Sequence, residues 1–160
     1  MVNPDDPGDA QKLLDWTRPL ISENRPAPKE IRRAGSRGMT DSNFASVSIM
    51  SLATLRAVSG RAGRDLSPLR FRGNLWIDGE LAPFEEFEWV GKTLTLGRTT
   101  LKVIEPITRC RATMANPDTG VVDTDTLDIL DSAWNHQQFG INVEVIESGD
   151  VSVGDGLAIQ

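Results

Sequence analysis

The sequence predicts a mainly β fold: an antiparallel sheet curled into a barrel or half-barrel, with two or three helices on its flanks. The chain breaks into roughly five to seven short apolar or alternating segments bounded by turn residues. Two of these flank Gly97-Arg98, a tight hairpin signal. No regular alternation of strand and helix of the kind that builds a parallel sheet is visible.

Residues 1–8 form a loose, acidic, Pro-rich lead-in. Asp9 to Ile21 places Leu13, Leu14, Trp16 and Leu20 at helical spacing, with Pro19 ending the helix. Pro26 and Pro28 mark a connector, a short strand is expected at Glu30 to Arg33, and residues 34–43 have loop composition. Phe44 to Met50 alternates as a strand. Ser51 caps a following helix whose Leu52, Leu55 and Val58 form a buried stripe, and Gly60 and Gly63 end it.

Leu69 to Asp78 reads as a strand with Arg70, Arg72 and Asn74 on one face and Leu69, Phe71 and Leu75 on the other. Glu80 to Val90 mixes acids with Phe84, Phe87 and Trp89. Within it Glu85 and Glu86 read as surface charge or as partners for the arginines. Lys92 to Leu96 and Thr99 to Ile107 form the hairpin. Asn116 to Gly120 is a turn on its Asn-Pro and Asp/Gly punctuation. Thr124 to Trp134 is a helix with Leu127 and Leu130 inward, and Gly140 to Ile146 a strand. Val151 to Val153 and Leu157 to Ile159 close the chain as short strands.

Composition narrows the function. With 160 residues the chain suits one main domain, and 39% hydrophobic against 25% charged residues argues for a folded core. A formal charge of −6 disfavours nucleic acid as a partner, because phosphate contacts need a basic face. No apolar run approaches the ~20 residues that span a bilayer. A single cysteine excludes an internal disulfide and fits a reducing compartment such as the cytoplasm. Zinc-ligand spacing, a P-loop and a dinucleotide fingerprint are all missing.

The residues that suggest chemistry lie in Leu101 to Gly120. Cys110 stands between Arg109 and Arg111, and positive charge beside a thiol favours the thiolate. The rival reading is a small packed hydrophobe. Thr108 shares the face of Cys110 if the strand continues, so both point into a pocket while Arg109 and Arg111 point away. Arg70 and Arg72 present planar forks suited to phosphate or carboxylate and would face the thiol across that pocket. Arg109 is counted with the anion-binding set as the cation adjoining Cys110. The lone His136 reads as a surface residue.

Four motifs in order then carry a resemblance: Arg70-Phe-Arg-Gly-Asn74, Phe84-Glu-Glu86, Thr108-Arg-Cys110 and Asn116-Pro-Asp-Thr-Gly120. Together they resemble the MOSC domain, found at the C-terminus of molybdenum-cofactor sulfurases, in bacterial stand-alone proteins and in mitochondrial amidoxime-reducing enzymes. The resemblance covers residues 44–160 and implies a MOSC-type β-barrel with flanking helices. Residues 1–43 then look like the tail of the N-terminal β-barrel domain that many members carry. The resemblance implies a molybdopterin-type cofactor. It makes Cys110 the molybdenum ligand and catalytic thiol, with Arg72, Asn74 and Thr108 at the pterin or its phosphate.

In the reductase branch it implies two-electron reduction with an external electron-transfer partner. In the sulfurase branch it implies a sulfur carrier supplied by a cysteine desulfurase; no pyridoxal-phosphate desulfurase sequence is seen here. A non-catalytic interaction module is the third reading.

Overall fold

The computed structural model describes residues 2–35 and 42–160. The chain forms two compact units, residues 1–39 and 40–160. In the first, α1 (Pro7–Thr17) starts on an Asp6 cap whose side chain accepts from the Asp9 amide. A 3₁₀ turn (Arg18–Leu20) built on Pro19 follows. The expected apolar stripe stays at the surface: Trp16 is 65% and Leu20 68% exposed. Residues 30–33 are irregular rather than a strand, since among the described residues no strand pairs with their backbone. The loop expected over 34–43 falls largely on residues 36–41, outside the described residues.

The second unit is a curled six-stranded mixed sheet that forms a half-barrel, with helices on its flanks. Its strands are β1 (Ser46–Ser51), β2 (Leu75–Ile77), β3 (Thr93–Leu96), β4 (Thr99–Thr108), β5 (Gln138–Glu147) and β6 (Leu157–Ile159). Their order across the sheet is β2-β1-β5-β4-β3-β6. The β3–β4 hairpin turns at Gly97-Arg98, with Leu96 opposite Thr99, where the sequence placed it. Residues 151–153 do not join the sheet, and β6 alone closes its edge.

Two expectations change. β1 and β2 are parallel, joined through helix α2 (Leu52–Ala62), so one β-α-β crossover exists after all. The strand foreseen over Leu69–Asp78 is instead a 3₁₀ turn (Pro68–Phe71), a left-handed residue at Arg72, and only the three residues of β2. Pro68 presets the turn and the Ser67 side chain caps it by accepting from the Leu69 amide. A capped Pro-led turn competes successfully with a short strand.

The sheet's inner face carries Ile49, Leu94, Leu101, Val103, Ile141 and Val143, all nearly or fully buried. A second cluster, under α2 and α3 (Thr126–Trp134), joins Met50, Leu55, Val58, Leu130 and the stacked pair Phe71–Phe139, whose ring centroids lie 3.9 Å apart. Gly140 joins the clusters at φ 76°. A Cβ there would press on Met50 Sδ and stand 2.8 Å from the Ile49 carbonyl, so strands β1 and β5 meet this closely only over a glycine.

Glu86 is fully buried rather than at the surface. Thr54 Oγ1 lies 3.1 Å from each of its carboxylate oxygens and accepts from the Phe84 amide at 2.9 Å. Burial pushes the Glu86 carboxyl above the ordinary range, opposed by hydrogen bonds from its own backbone amide and from Thr54. Glu85 accepts from the Ala82 amide at 2.8 Å. Neither carboxylate meets an arginine. His136 is half-buried against Phe84 and Phe87, its Nδ1 accepting from the Gln138 amide, and burial holds it below the usual histidine range.

Candidate functional site

A pocket of about 590 Å³ opens beside the end of β4. Arg70, Arg72, Asn74, Thr108, Arg109 and Cys110, the whole set singled out from the sequence, line it. They arrive by different routes from the one the strand argument gave.

Cys110 ends the extended run of β4 and precedes a 3₁₀ turn (Arg111–Met114). Its thiol is exposed and unpaired. Its carbonyl accepts from the Thr113 amide at 3.2 Å and from Thr113 Oγ1 at 3.1 Å. Since that hydroxyl has one proton to give, Thr126, 2.6 Å away, must donate to it. This buried hydroxyl relay fixes the backbone that carries the thiol.

Arg109 does point away from Cys110's face, and into the protein. Its Nε donates to the Phe139 carbonyl at 2.9 Å and its Nη1 to the Phe71 carbonyl at 3.1 Å, while Nη2 rests 2.9 Å from Met50 Sδ. Its guanidinium carbon lies 5.8 Å from the Phe71 ring centroid. Burial draws the guanidinium down to about 10, with the adjacent Cys110 opposing. Gly73 underlies the same arrangement, because a Cβ there would stand 2.5 Å from Met50 Cγ.

Arg70 is almost wholly buried and does not lean toward the thiol. Its Nη2 pairs with Asp123 at 2.6 Å and its Nη1 donates to the Met114 carbonyl at 3.1 Å. Arg70 lowers the Asp123 carboxyl below its ordinary range. The Nε of Arg70 is buried with no hydrogen-bond partner. The expected common face of Arg70, Arg72 and Asn74 is therefore lost: the 3₁₀ turn sends Arg70 inward and leaves Arg72 outside.

Arg72 is exposed, with φ 50°, a left-handed conformation uncommon for a side-chain-bearing residue. Among the described residues its guanidinium has no hydrogen-bond or ion-pair partner. Asn74 is latched to β1: its Oδ1 accepts from Ser48 N at 2.9 Å and Ser48 Oγ at 2.8 Å, and its amide donates to Ser48 Oγ at 3.0 Å. The Thr108 hydroxyl is exposed and unpartnered.

Sequence reasoning missed Asp123, Thr113 and Thr126. Each owes its place to contacts across the fold, and none stands in a periodic pattern. Asp123 also accepts from Asn116 Nδ2 at 3.0 Å, which ties the Asn116–Gly120 turn to the carboxylate that holds Arg70. That turn closes with Asp118 N donating to Asn116 Oδ1, as its composition foretold.

An exposed thiol, the unpaired guanidinium of Arg72, neutral hydrogen-bonding groups and the carboxylate of Glu105 line a pocket of small-molecule size. The family model of the MOSC domain matches residues 37–158. The chain belongs to the MOSC domain family. MOSC domains are associated with the molybdenum cofactor. This MOSC chain is 31% identical over 121 residues to mitochondrial amidoxime reducing component 2 of Bos taurus, a match covering 68% of this chain and 35% of that protein. It thus spans about a third of the length of that curated relative. Among the described residues, no helix is long and apolar enough to cross a membrane.

The pocket of this MOSC chain fits such a cofactor in two respects. The partnerless Nε of buried Arg70 and the free guanidinium of Arg72 leave hydrogen-bonding capacity for an anionic guest. Among the described residues no group of three or more His, Cys, Asp or Glu side chains could hold a metal.

Proposed function

We propose that residues 44–160 bind a molybdopterin-type cofactor in this pocket, with Cys110 as thiolate ligand to molybdenum, and that residues 1–43 are a lead-in to this domain. The observation that carries the proposal is the exposed Cys110 thiol sharing one pocket with the unpaired guanidinium of Arg72. Arg72 neutralises the cofactor's phosphate, Asn74 and Thr108 donate hydrogen bonds to phosphate or pterin, and the buried Arg70 adds positive charge to the same pocket wall. Arg109 acts from behind, holding the chain that presents Cys110.

When bound, molybdenum supplies two-electron redox chemistry. We assign to this site the reduction of an N-oxygenated substrate, with electrons from an external donor protein. A reducing compartment such as the cytoplasm would keep Cys110 out of disulfides and available to the metal.

The test is metal analysis of the protein expressed in a host that makes the cofactor. Near-stoichiometric molybdenum is expected, with at least a tenfold loss in Cys110→Ala and in Arg72→Ala. Full molybdenum retention in Cys110→Ala would sink the ligand role. The accessibility of Cys110 also favours a second reading, in which a cysteine desulfurase passes sulfane sulfur to the thiol as a persulfide. Mass spectrometry after incubation with a desulfurase and cysteine would then show one added sulfur on the Cys110 peptide.

A further inference from the structure

The sheet face turned to the pocket carries a polar row, two members of which, Asn142 and Glu105, neither the fold nor the proposed ligand set uses. Ser48 on β1 lies opposite Asn142 on β5, and Asn142 lies opposite Glu105 on β4. All three line the pocket. Residues directly opposite in a sheet share a face, so this is one continuous row across three strands. Asn74, latched to Ser48, extends it at one end.

The carboxylate is there because the strand is bulged. Leu101 and Val103 face the core, and simple alternation would send Glu105 after them. A register shift between Val103 and Glu105 inserts Ile104 and turns the carboxylate to the pocket side, where it is exposed. Among the described residues Glu105 is the sole acidic one lining the pocket, and neither it nor the Asn142 side chain has a partner there. Glu105 and Arg72 do not pair with each other, although both line the cavity.

The pocket is therefore dipolar. The Arg72/Asn74 end offers a cation and amide donors, and the Glu105 end offers acceptors. Two strand spacings separate Ser48 from Glu105, about 10 Å. A carboxylate beside an amide oxygen accepts two or three parallel N–H groups, which is the complement of a planar N–C–N edge.

We infer that Glu105 and Asn142 form a recognition edge for a planar amidine-type donor group on a ligand whose anionic end sits at Arg72. Two sources present this chemistry: the 2-aminopyrimidinone edge of a pterin, or the amidine or amidoxime group of a substrate. The inference deepens the proposed cofactor reading and concerns the same pocket.

The test titrates the full chain by calorimetry with two probes, 6-hydroxymethylpterin and benzamidinium, against wild type, Glu105→Ala, Glu105→Gln and Asn142→Leu. Melting temperatures serve as the folding control, and the exposed Glu105 variants are expected to keep theirs. At least one probe should bind and weaken tenfold or more in both Glu105 variants. Loss confined to the pterin assigns the edge to the cofactor, and loss confined to benzamidinium assigns it to the substrate. Binding of neither probe to wild type, or equal binding to wild type and Glu105→Ala, overturns the inference.

Molybdenum content of the same wild-type protein separates the two ideas. Absent molybdenum with a Glu105-dependent probe defeats the metal reading and leaves this one standing. Stoichiometric molybdenum with Glu105-independent probes does the reverse.

Discussion

Arg109 and Arg72 divide between them what one arginine cannot do. Arg109 gives both its carbonyl bonds to Phe71 and Phe139 and is taken up in structure. Arg109→Leu strands those two acceptors in a half-buried place, at about 1–3 kcal/mol each. Denaturant unfolding should show a loss of about 3 kcal/mol; a loss under about 0.5 kcal/mol would mean that water serves the carbonyls equally well. Arg72 is the converse case. Its left-handed backbone costs about 1 kcal/mol for a residue with a Cβ, and its head makes no bond in return. Arg72→Gly should leave stability within about 1 kcal/mol while weakening phosphate-bearing ligands at least tenfold, read by calorimetry.

Glu86 sets a pH dependence. Its folded carboxyl lies above the ordinary range because burial penalises the charge. Its contribution to stability is full below the ordinary carboxylate value and is lost as pH rises through the raised native one. Glu86→Gln, which mimics the protonated acid, should match wild type in acid and exceed it near neutrality in unfolding free energy. A constant difference across that window would show that Glu86 does not titrate there. His136 works in the opposite sense. Its depressed value gives stability that is present above the ordinary histidine value and lost as pH falls through the native one.

At the scale of elements, the two-residue hairpin, the Ser51-capped helix and β5 were legible because each is written locally, in a turn, a cap or an alternation. Residues 69–78 were not. Alternation in that stretch imitates a strand, but the Pro68 turn and the close packing of Gly73 on Met50 decide otherwise. The candidate site survived this error because Arg72 and Asn74 are placed by the turn and by the Ser48 latch, whatever the strand does. What stayed hidden was long-range: Asp123 finds Arg70 across 53 residues, and the Glu105 bulge needs β5 to define it. The Phe71–Phe139 stack joins these elements beneath the pocket. Phe139→Ala should cost about 3–5 kcal/mol in chemical unfolding. A cost near 1 kcal/mol would place the stack outside the cooperative core.

For the whole molecule, the half-barrel presents a thiol at the end of one long strand and an anion-binding turn behind another short one. The sheet supplies the rigid wall between them. The proposed function makes Cys110, in the pocket of this MOSC-family chain, the residue that meets the metal. The most direct measurement is X-ray absorption at the molybdenum edge on the loaded protein and on Cys110→Ser. The account predicts one sulfur neighbour fewer around molybdenum in the variant, or loss of the metal altogether. Stoichiometric molybdenum with an unchanged sulfur shell in Cys110→Ser would contradict it.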